Sequence, residues 1–230
     1  MTADDTADVN ASGPVIRAAS RHEHAAAVRL LADAFVDEPL VHEAVRRASL
    51  PAAARRRIFE LSLRSAIRQG GVLLVAVHES SVVGAGIITV PQSGWARTAA
   101  RHVIDGLQFV RLLPELGRPG LALLNDTDLA VRSFAPRAPH HVLVAVGVSP
   151  TARGIGAGRA LVDATFDLAE NDPRSHGVRL DAASSENAER YARWGFELLG
   201  RADVAPVTVH VMYRAVSHEG EGHCDGRHRA

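Results

Sequence analysis

The stretch VAVGVSPTARGIGAGRALVDATF, at 144–166, most constrains what this chain can fold into. An apolar, β-branched run ends in a loop with glycines at alternate positions, Gly154, Gly156 and Gly158, and a predicted helix follows at once. Glycine lacks a Cβ, so a ligand can approach the backbone closely. The first helical turn leaves N–H groups without partners and adds the positive end of the helix dipole. The segment therefore predicts a site for a phosphate or pyrophosphate.

Three phosphate-binding motifs compete for this loop, and residue spacing separates them. The P-loop needs a lysine after its last glycine, and the chain contains no lysine. The dinucleotide fingerprint G-x-G-x-x-G fails from Gly154, because Arg159 takes its last position, and from Gly156, because Leu161 does. The remaining pattern, V-x-P-x-x-[QR]-x-x-G-x-[GA], is met by Val148, Pro150, Arg153, Gly156 and Gly158.

This pattern resembles the acetyl-CoA pyrophosphate loop of the GCN5-related N-acetyltransferase (GNAT) superfamily. A second stretch, LDAASSENAERYARWGF at 180–196, is similar to the family's motif with an asparagine, a tyrosine and a closing Gly-Phe. These are Asn187, Tyr191 and Gly195-Phe196 in this chain. Asn187 and Tyr191 are one helical turn apart, so they share a helix face. The resemblance implies a fold and an acyl donor, but it does not identify the acceptor.

The order of predicted elements is that of an α+β fold: a mixed, largely antiparallel central sheet flanked by helices. The resemblance implies that this is the acyl-CoA N-acyltransferase fold. Strands are predicted at 15–17, 72–77, 82–90, 141–148, 177–183, 196–201 and 207–214, and helices at 51–69, 158–171 and 187–193. An earlier helix is predicted to begin at Ser20, with Glu23 completing a capping box, and to end near Asp37-Glu38-Pro39.

Residues 14–215 are predicted to form one acetyltransferase domain, in which 95–135 is a helical insert over one face, broken at Pro114 and Pro119-Gly120. The segments 1–13 and 216–230 are rich in small, polar and charged residues, and both are predicted to be disordered tails. The second tail holds His218, His223, Cys224 and His228. Their spacing matches no common zinc module, so no metal is expected.

The charge of the chain is balanced, with 26 Lys and Arg against 26 Asp and Glu. This balance gives no electrostatic case for nucleic acid or an anionic membrane as the main partner. No apolar run approaches the ~20 residues that span a bilayer, and the polar first residues contain no signal peptide. A single cysteine fits a reducing compartment. We therefore expect a cytoplasmic protein.

The resemblance implies that acetyl-CoA, the cosubstrate, lies in an opening between the strands 141–148 and 177–183. The pantetheine arm would pair with exposed backbone of Val146, Gly147 and Val148. The pyrophosphate would rest on the N–H groups of the glycine-rich loop. The further cofactor-binding residues expected on this basis are Arg153, Gly154, Ile155, Gly156, Ala157, Gly158, Arg159 and Asn187.

The resemblance also implies direct attack of a neutral amine on the thioester, with the oxyanion held by a backbone N–H within 146–148. Tyr191 is expected to protonate the departing thiolate; the alternative is a ring that packs on the following Gly-Phe pair. Asp181 occupies roughly the position at which some relatives carry a catalytic glutamate, and it is a candidate base. Its alternative is an outward, solvated side chain. His140 and His141 are further candidates for the base.

Two functions stay open at this stage. One is an enzyme that moves the acetyl group to a primary amine of a small molecule or peptide. The other is a non-catalytic acyl-CoA-binding or sensor module of the same fold. Asn187 and Tyr191 favour the enzyme, because a binder needs only the loop. Asp37-Glu38 and Asp126-Thr127-Asp128 either attract an ammonium group or serve as turns or caps. A homodimer is possible, since dimers are common among relatives.

Overall fold

The apolar, β-branched runs form one sheet in the computed structural model, which describes residues 13–91 and 110–217. Its strands are β1 (Val15–Ala18), β2 (Val72–His78), β3 (Ser81–Thr89), β4 (His141–Val148), β5 (Gly177–Ala182), β6 (Glu197–Val204) and β7 (Val207–Ala215). They lie in the order β1-β2-β3-β4-β5-β7-β6, and among these neighbours only β4 and β5 are parallel. The predicted α+β fold with a largely antiparallel sheet is confirmed.

Helices cover both faces of the sheet. Within the described residues these are α1 (His24–Ala34), α2 (Pro39–Val45), α3 (Pro51–Arg68), α4 (Leu113–Arg132), α5 (Ala157–Glu170) and α6 (Ser185–Arg193). The first face packs on α1 and α3 around Leu31 and Ile87, and the second packs on α5 around Leu161 and Val178. The sheet is thus buried on both sides, which fixes the direction in which each of its side chains points.

The start of α1 differs from the sequence prediction. The helix begins at His24, preceded by a turn, so the prediction that Ser20 is its N-cap is wrong. One half of the capping box is nevertheless present, because Ser20 N–H donates to Glu23 Oε2 at 2.8 Å. The Ser20 hydroxyl donates to the same carboxylate, and so does Arg17. The Glu23 carboxylate is thus bound to Arg17 of β1 and to Ser20, and it does not cap the helix.

The helix α2 was not predicted. The preceding helix ends at Ala34, and Glu38-Pro39 begins α2 instead of ending α1. Glu38 is the N-cap, since its Oε2 accepts the N–H of Val41 at 2.8 Å, and Pro39 occupies the first turn, where a missing N–H does no harm. Burial raises the pKa of Glu38. Of the two alternatives for Asp37-Glu38, an ammonium site or a turn or cap, the structure shows a cap for Glu38.

The predicted insert is helical where the structure describes it. The helix α4 runs from 113 to 132 and is interrupted at Gly117, which has a φ of 66° and lies two residues before the break predicted at Pro119-Gly120. The break predicted at Pro114 is absent, because Pro114 lies in the first turn of the helix. Leu116 and Val131 are buried, so α4 is part of the core as well as a cover, and it packs on α2 and β6. Residues 95–109 of the insert, the segment 1–12 and the segment 218–230 lie outside the described residues.

The approach of α4 to α2 gives a stability prediction. A Cβ at Gly120 would overlap the carbonyl oxygen of Ala44 on α2. We expect Gly120→Ala to lower the free energy of unfolding by about 1–3 kcal/mol, because overpacking forces the helices apart. Alanine by itself favours a helix over glycine by about 1 kcal/mol, so any loss must come from this contact.

Urea denaturation measures the change. The matched control is Gly158→Ala, because Gly158 is also helical and an added Cβ there meets nothing closer than 3.5 Å. An equal or smaller loss for Gly120→Ala than for the control would contradict the close packing of α2 on α4.

Candidate active site

The strands β4 and β5 separate after a short paired stretch. They pair from His141–Val178 to Leu143–Leu180 and no further. The β3–β4 register shifts between Ile87 and Ile88, so β4 carries an irregularity at 144. Leu143 packs in the α5 cluster and Ala145 in the α1–α3 cluster, although residues two apart in a regular strand share a face. The irregularity exchanges the two faces of β4, so side chains after residue 144 point to the face opposite to the one that regular alternation would give.

The residues Val146, Gly147 and Val148 lie along this opening. Their backbone pairs with β3 on one side and has no partner strand on the side of β5. A Cβ at Gly147 would lie 2.8 Å from the Cβ of Ala34, so glycine lets α1 pack closely behind the strand. The three predicted pantetheine-binding residues therefore present one free backbone edge to the opening, on a strand that is held on its other edge.

The glycine-rich loop follows directly from β4. Gly154 and Gly156 have φ values of 89° and 82°, in the left-handed region that favours glycine, and both are exposed. The helix α5 begins at Ala157, which is buried. Among the described residues, the backbone N–H groups of 154–159 have no hydrogen-bond acceptor. This is the geometry of an anion site at a helix N-terminus.

The two arginines of the loop differ. Arg153 is exposed and has no ion-pair partner in the described part of the chain. Arg159 Nε lies 2.8 Å from both carboxylate oxygens of Asp163, and its guanidinium carbon lies 5.6 Å from the centre of the Trp194 ring. Arg153 is therefore available to an anion, whereas Arg159 must first leave or share its carboxylate.

The helix α6 carries the Asn–Tyr motif. Ser184 caps it by accepting the N–H of Asn187 at 3.2 Å, and Asn187 Oδ1 accepts from Arg190 at 2.9 Å. The ring of Tyr191 meets Trp194 edge-on, with the centroids 5.5 Å apart, and it also packs on Phe196. Both roles foreseen for Tyr191 are thus compatible: the ring packs, while its hydroxyl has no hydrogen-bond partner among the described residues.

Tyr191 is protonated at neutral pH, because burial raises the pKa of its hydroxyl to about 12. The same shift makes the phenol a weaker acid than an exposed tyrosine, so the pKa does not by itself favour proton donation to a thiolate.

Asp181 lies one residue before the end of β5, just past the last residue that pairs with β4. Leu180 and Ala182 face the α5 cluster, so Asp181 faces the opposite side, where α4 lies. Its side chain is 26% exposed, and Oδ2 accepts from Arg179 Nη2 at 3.2 Å. Desolvation raises the pKa of Asp181, Arg179 lowers it and Asp128 raises it further. The residue as a whole is exposed at this end of the strand, so the solvated alternative for Asp181 is not removed, and its role as a base stays a prediction.

The two histidines lie away from the opening. His141 is 3% exposed, and its Nδ1 lies 2.9 Å from the Ser175 hydroxyl. His140 Nδ1 lies 2.7 Å from the carbonyl oxygen of Ala138. Burial lowers the pKa of both imidazoles. Both stand at the paired end of β4 and β5, so the structure does not bring either of them to the opening.

A groove of about 420 Å³ begins where β5 ends. Its wall includes Pro39 of α2 and Ala183, two residues beyond Asp181. Arg201 and His210, which stand opposite each other on β6 and β7, form another part. The sequence analysis missed both of these side chains, because a register between strands cannot be read from local spacing. The alternation of polar and apolar residues along β6 and β7 was the only sequence signal that could have pointed to Arg201 and His210.

Within the described ranges 13–91 and 110–217, no group of three or more His, Cys, Asp and Glu side chains could hold a metal ion. No helix in those ranges is long and apolar enough to cross a bilayer. The three histidines and the cysteine of the segment 218–230 lie outside the described residues.

Comparison with known proteins points to one family. The model of the acetyltransferase (GNAT) family matches residues 41–196, which include both sequence motifs. This matched region begins in α2 and ends at the Gly-Phe pair, so it contains β4, the loop, β5 and α6.

Solved structures share the fold. A "histone acetyltransferase HPA2 and related acetyltransferase" from Corynebacterium glutamicum is 23% identical, with a TM-score of 0.66 over 88% of this chain and 96% of that chain. An arylalkylamine N-acetyltransferase 2 from Aedes aegypti is 15% identical, with a TM-score of 0.66 over 90% and 100%. A putative acetyltransferase from Salmonella typhimurium, solved with its cofactor acetyl-CoA, is 17% identical, with a TM-score of 0.52 over 93% and 100%.

The backbone of the loop gives a second stability prediction. An added Cβ at Gly156 meets no atom within 4 Å, so any cost of alanine there comes from its left-handed φ. We expect Gly156→Ala to lower the free energy of unfolding by about 1–2 kcal/mol. Gly158→Ala is the control, because Gly158 is helical and its Cβ makes only an ordinary contact, at 3.5 Å. Urea denaturation compares the two, and equal stabilities would contradict the strained loop.

Proposed function

The chain belongs to the GNAT acetyltransferase family, and from this premise we propose that it moves the acetyl group of acetyl-CoA to a primary amine. One observation carries the proposal. The free backbone edge of β4 leads directly into a loop whose N–H groups at 154–159 have no acceptor among the described residues. A thioester arm that ends in a diphosphate matches both parts of that surface.

The donor would bind mainly through the main chain. The pantetheine amides pair with Val146, Gly147 and Val148, and the diphosphate accepts from the N–H groups of the loop, beside the free guanidinium of Arg153. Asn187 stands on the other side of the opening, at the start of α6. The Salmonella typhimurium relative, which was solved with acetyl-CoA, supports the choice of donor.

The transfer needs three proton movements. Asp181 takes a proton from the incoming ammonium group, and the neutral amine attacks the thioester carbonyl carbon. A backbone N–H within 146–148 stabilises the oxyanion of the tetrahedral intermediate. The carbon–sulfur bond then breaks, Tyr191 gives its proton to the thiolate, and the second proton of the nitrogen returns to the Tyr191 oxygen as the amide forms. The products are an N-acetyl amide and free CoA.

The groove at the end of β5 offers room for the acceptor. Its side chains include the positively charged donor Arg201 and the negatively charged acceptor Asp203. We infer an acceptor of small-molecule or peptide size with one reactive primary amine. The relative named for arylalkylamines supports the amine class.

Release of free thiol from acetyl-CoA, measured with a panel of amines, tests this function. We expect thiol release that depends on one class of amine, together with a rise in melting temperature on addition of CoA. Stabilisation by CoA without release for any amine would favour the non-catalytic acyl-CoA-binding alternative. Stronger stabilisation by NAD or ATP than by CoA would contradict the donor assignment.

The acid role gives a sharper prediction. We expect Tyr191→Phe to slow thiol release by about 10²-fold, because a positioned proton donor contributes on the order of 10²–10⁴-fold. The ring contacts stay, and the hydroxyl has no hydrogen-bond partner among the described residues, so stability should change little. Steady-state kinetics measures the rate of thiol release, and urea denaturation measures the stability. Turnover at the wild-type rate would show that Tyr191 acts only by packing.

A further inference from the structure

A largely buried positive charge stands beside the candidate base. The Arg179 side chain is 12% exposed, and Nη2 donates to Asp181 Oδ2 at 3.2 Å. Its Nε is buried and has no partner in the described ranges. Removing a guanidinium from water costs free energy unless a partner compensates it. Asp181 is the only ion-pair partner of Arg179 among the described residues.

The backbone explains why the two side chains meet. Arg179 and Asp181 are two residues apart on β5, so they share the face that looks toward α4. Arg179 stands opposite Val142 within the paired part of β4, whereas Asp181 lies just past the last pair. The arginine is thus anchored where the sheet is closed, and it reaches along the strand to the carboxylate at the opening.

We propose that Arg179 is a positioning residue, which keeps the Asp181 carboxylate ionised and fixes its orientation for the incoming amine. The inference rests on the proposed function of Asp181 as the base. Arg179 occupies Oδ2, while Oδ1 has no hydrogen-bond partner among the described residues. One carboxylate oxygen is held, and the other is left for the ammonium proton of the acceptor.

The surrounding charges show why such a residue is needed. Desolvation raises the pKa of Asp181, and the negative charge of Asp128, on α4, raises it further. Asp128 is itself paired with Arg132. Arg179 acts in the opposite direction and lowers the pKa of Asp181. Without it, both remaining influences favour the protonated acid, which cannot accept a proton.

The other titratable groups around β5 are already engaged. At the start of β4, His140 binds the Ala138 carbonyl, and burial and the positive charge of Arg179 both lower its pKa. On β7, the Tyr213 hydroxyl donates to the His176 carbonyl, and His210 Nδ1 lies 3.2 Å from the Ala182 carbonyl. None of these groups, within the described residues, bonds to the Asp181 carboxylate.

The direction of the pH effect follows from these signs. Asp181 works as a base only above its pKa, so turnover falls as the pH falls through that value. Loss of Arg179 moves the pKa of Asp181 upward, and the acidic limb of kcat/KM moves with it. We expect Arg179→Gln to lose about tenfold or more in kcat/KM on the acidic side, and clearly less on the alkaline plateau.

The experiment compares pH profiles of kcat/KM for the wild type and three variants of the full chain. Arg179→Lys keeps the positive charge, and we expect it to restore much of the acidic limb. Arg174→Gln is the matched control, because Arg174 also pairs with an aspartate two residues away, Asp172, but does so on an exposed turn. We expect its profile to match the wild type.

A second readout needs no acceptor. Titration of the Asp181 side-chain carbon by NMR, in the wild type and in Arg179→Gln, follows ionisation directly; Asp181→Asn assigns the signal. An upward move of the Asp181 midpoint in Arg179→Gln supports the proposal even if the amine panel shows no thiol release, an outcome that would count against the proposed function alone.

Three results would overturn the role of Arg179. One is an unchanged Asp181 midpoint in Arg179→Gln. Another is a loss of kcat/KM that is equal at every pH, which a purely structural residue would produce. The third is a shift of the same size in Arg174→Gln. If Arg179→Gln does not fold, Arg179→Lys replaces it as the test. An acidic limb of kcat/KM close to that of the wild type supports the proposal, and a loss that is equal at every pH contradicts it.

Discussion

The parting of β4 from β5 is the constraint on which the rest of this structure depends. Antiparallel pairing holds β4 to β3 along its length, and the irregularity at 144 exchanges the faces of its alternate positions, so that Leu143 and Ala145 pack in different clusters. The strand can therefore leave one backbone edge unpaired without loosening the sheet. An unpaired edge inside a fold is normally costly, and a ligand with amide groups is the natural partner for it.

Local spacing predicted the local structure of the candidate site, while the roles of its residues stay predictions. The glycine-rich loop and the Asn–Tyr motif depend on contacts between near neighbours in sequence, and both lie where the sequence placed them. The short helix α2 has too few turns to show a period, and only the cap by Glu38 could have indicated it. Arg201 and His210 meet through strand register. That register depends on packing across the whole sheet, which no local pattern reports.

The two candidate catalytic groups owe their properties to the same cause. Removal from water disfavours the charged form of each, so the Tyr191 hydroxyl keeps its proton and the Asp181 carboxylate holds a captured proton more firmly. The sequence revealed both residue types but not their depth, since burial is a property of the assembled layers.

The geometry of the glycine-rich loop depends on torsion angles rather than on side-chain chemistry. Gly154 and Gly156 set the path of the backbone, and the N–H groups of 154–159, which have no acceptor among the described residues, belong to the peptide groups. Positions such as Ile155 are consequently open to drift. Side chains of the loop can therefore change during evolution without altering the backbone geometry that the two glycines set.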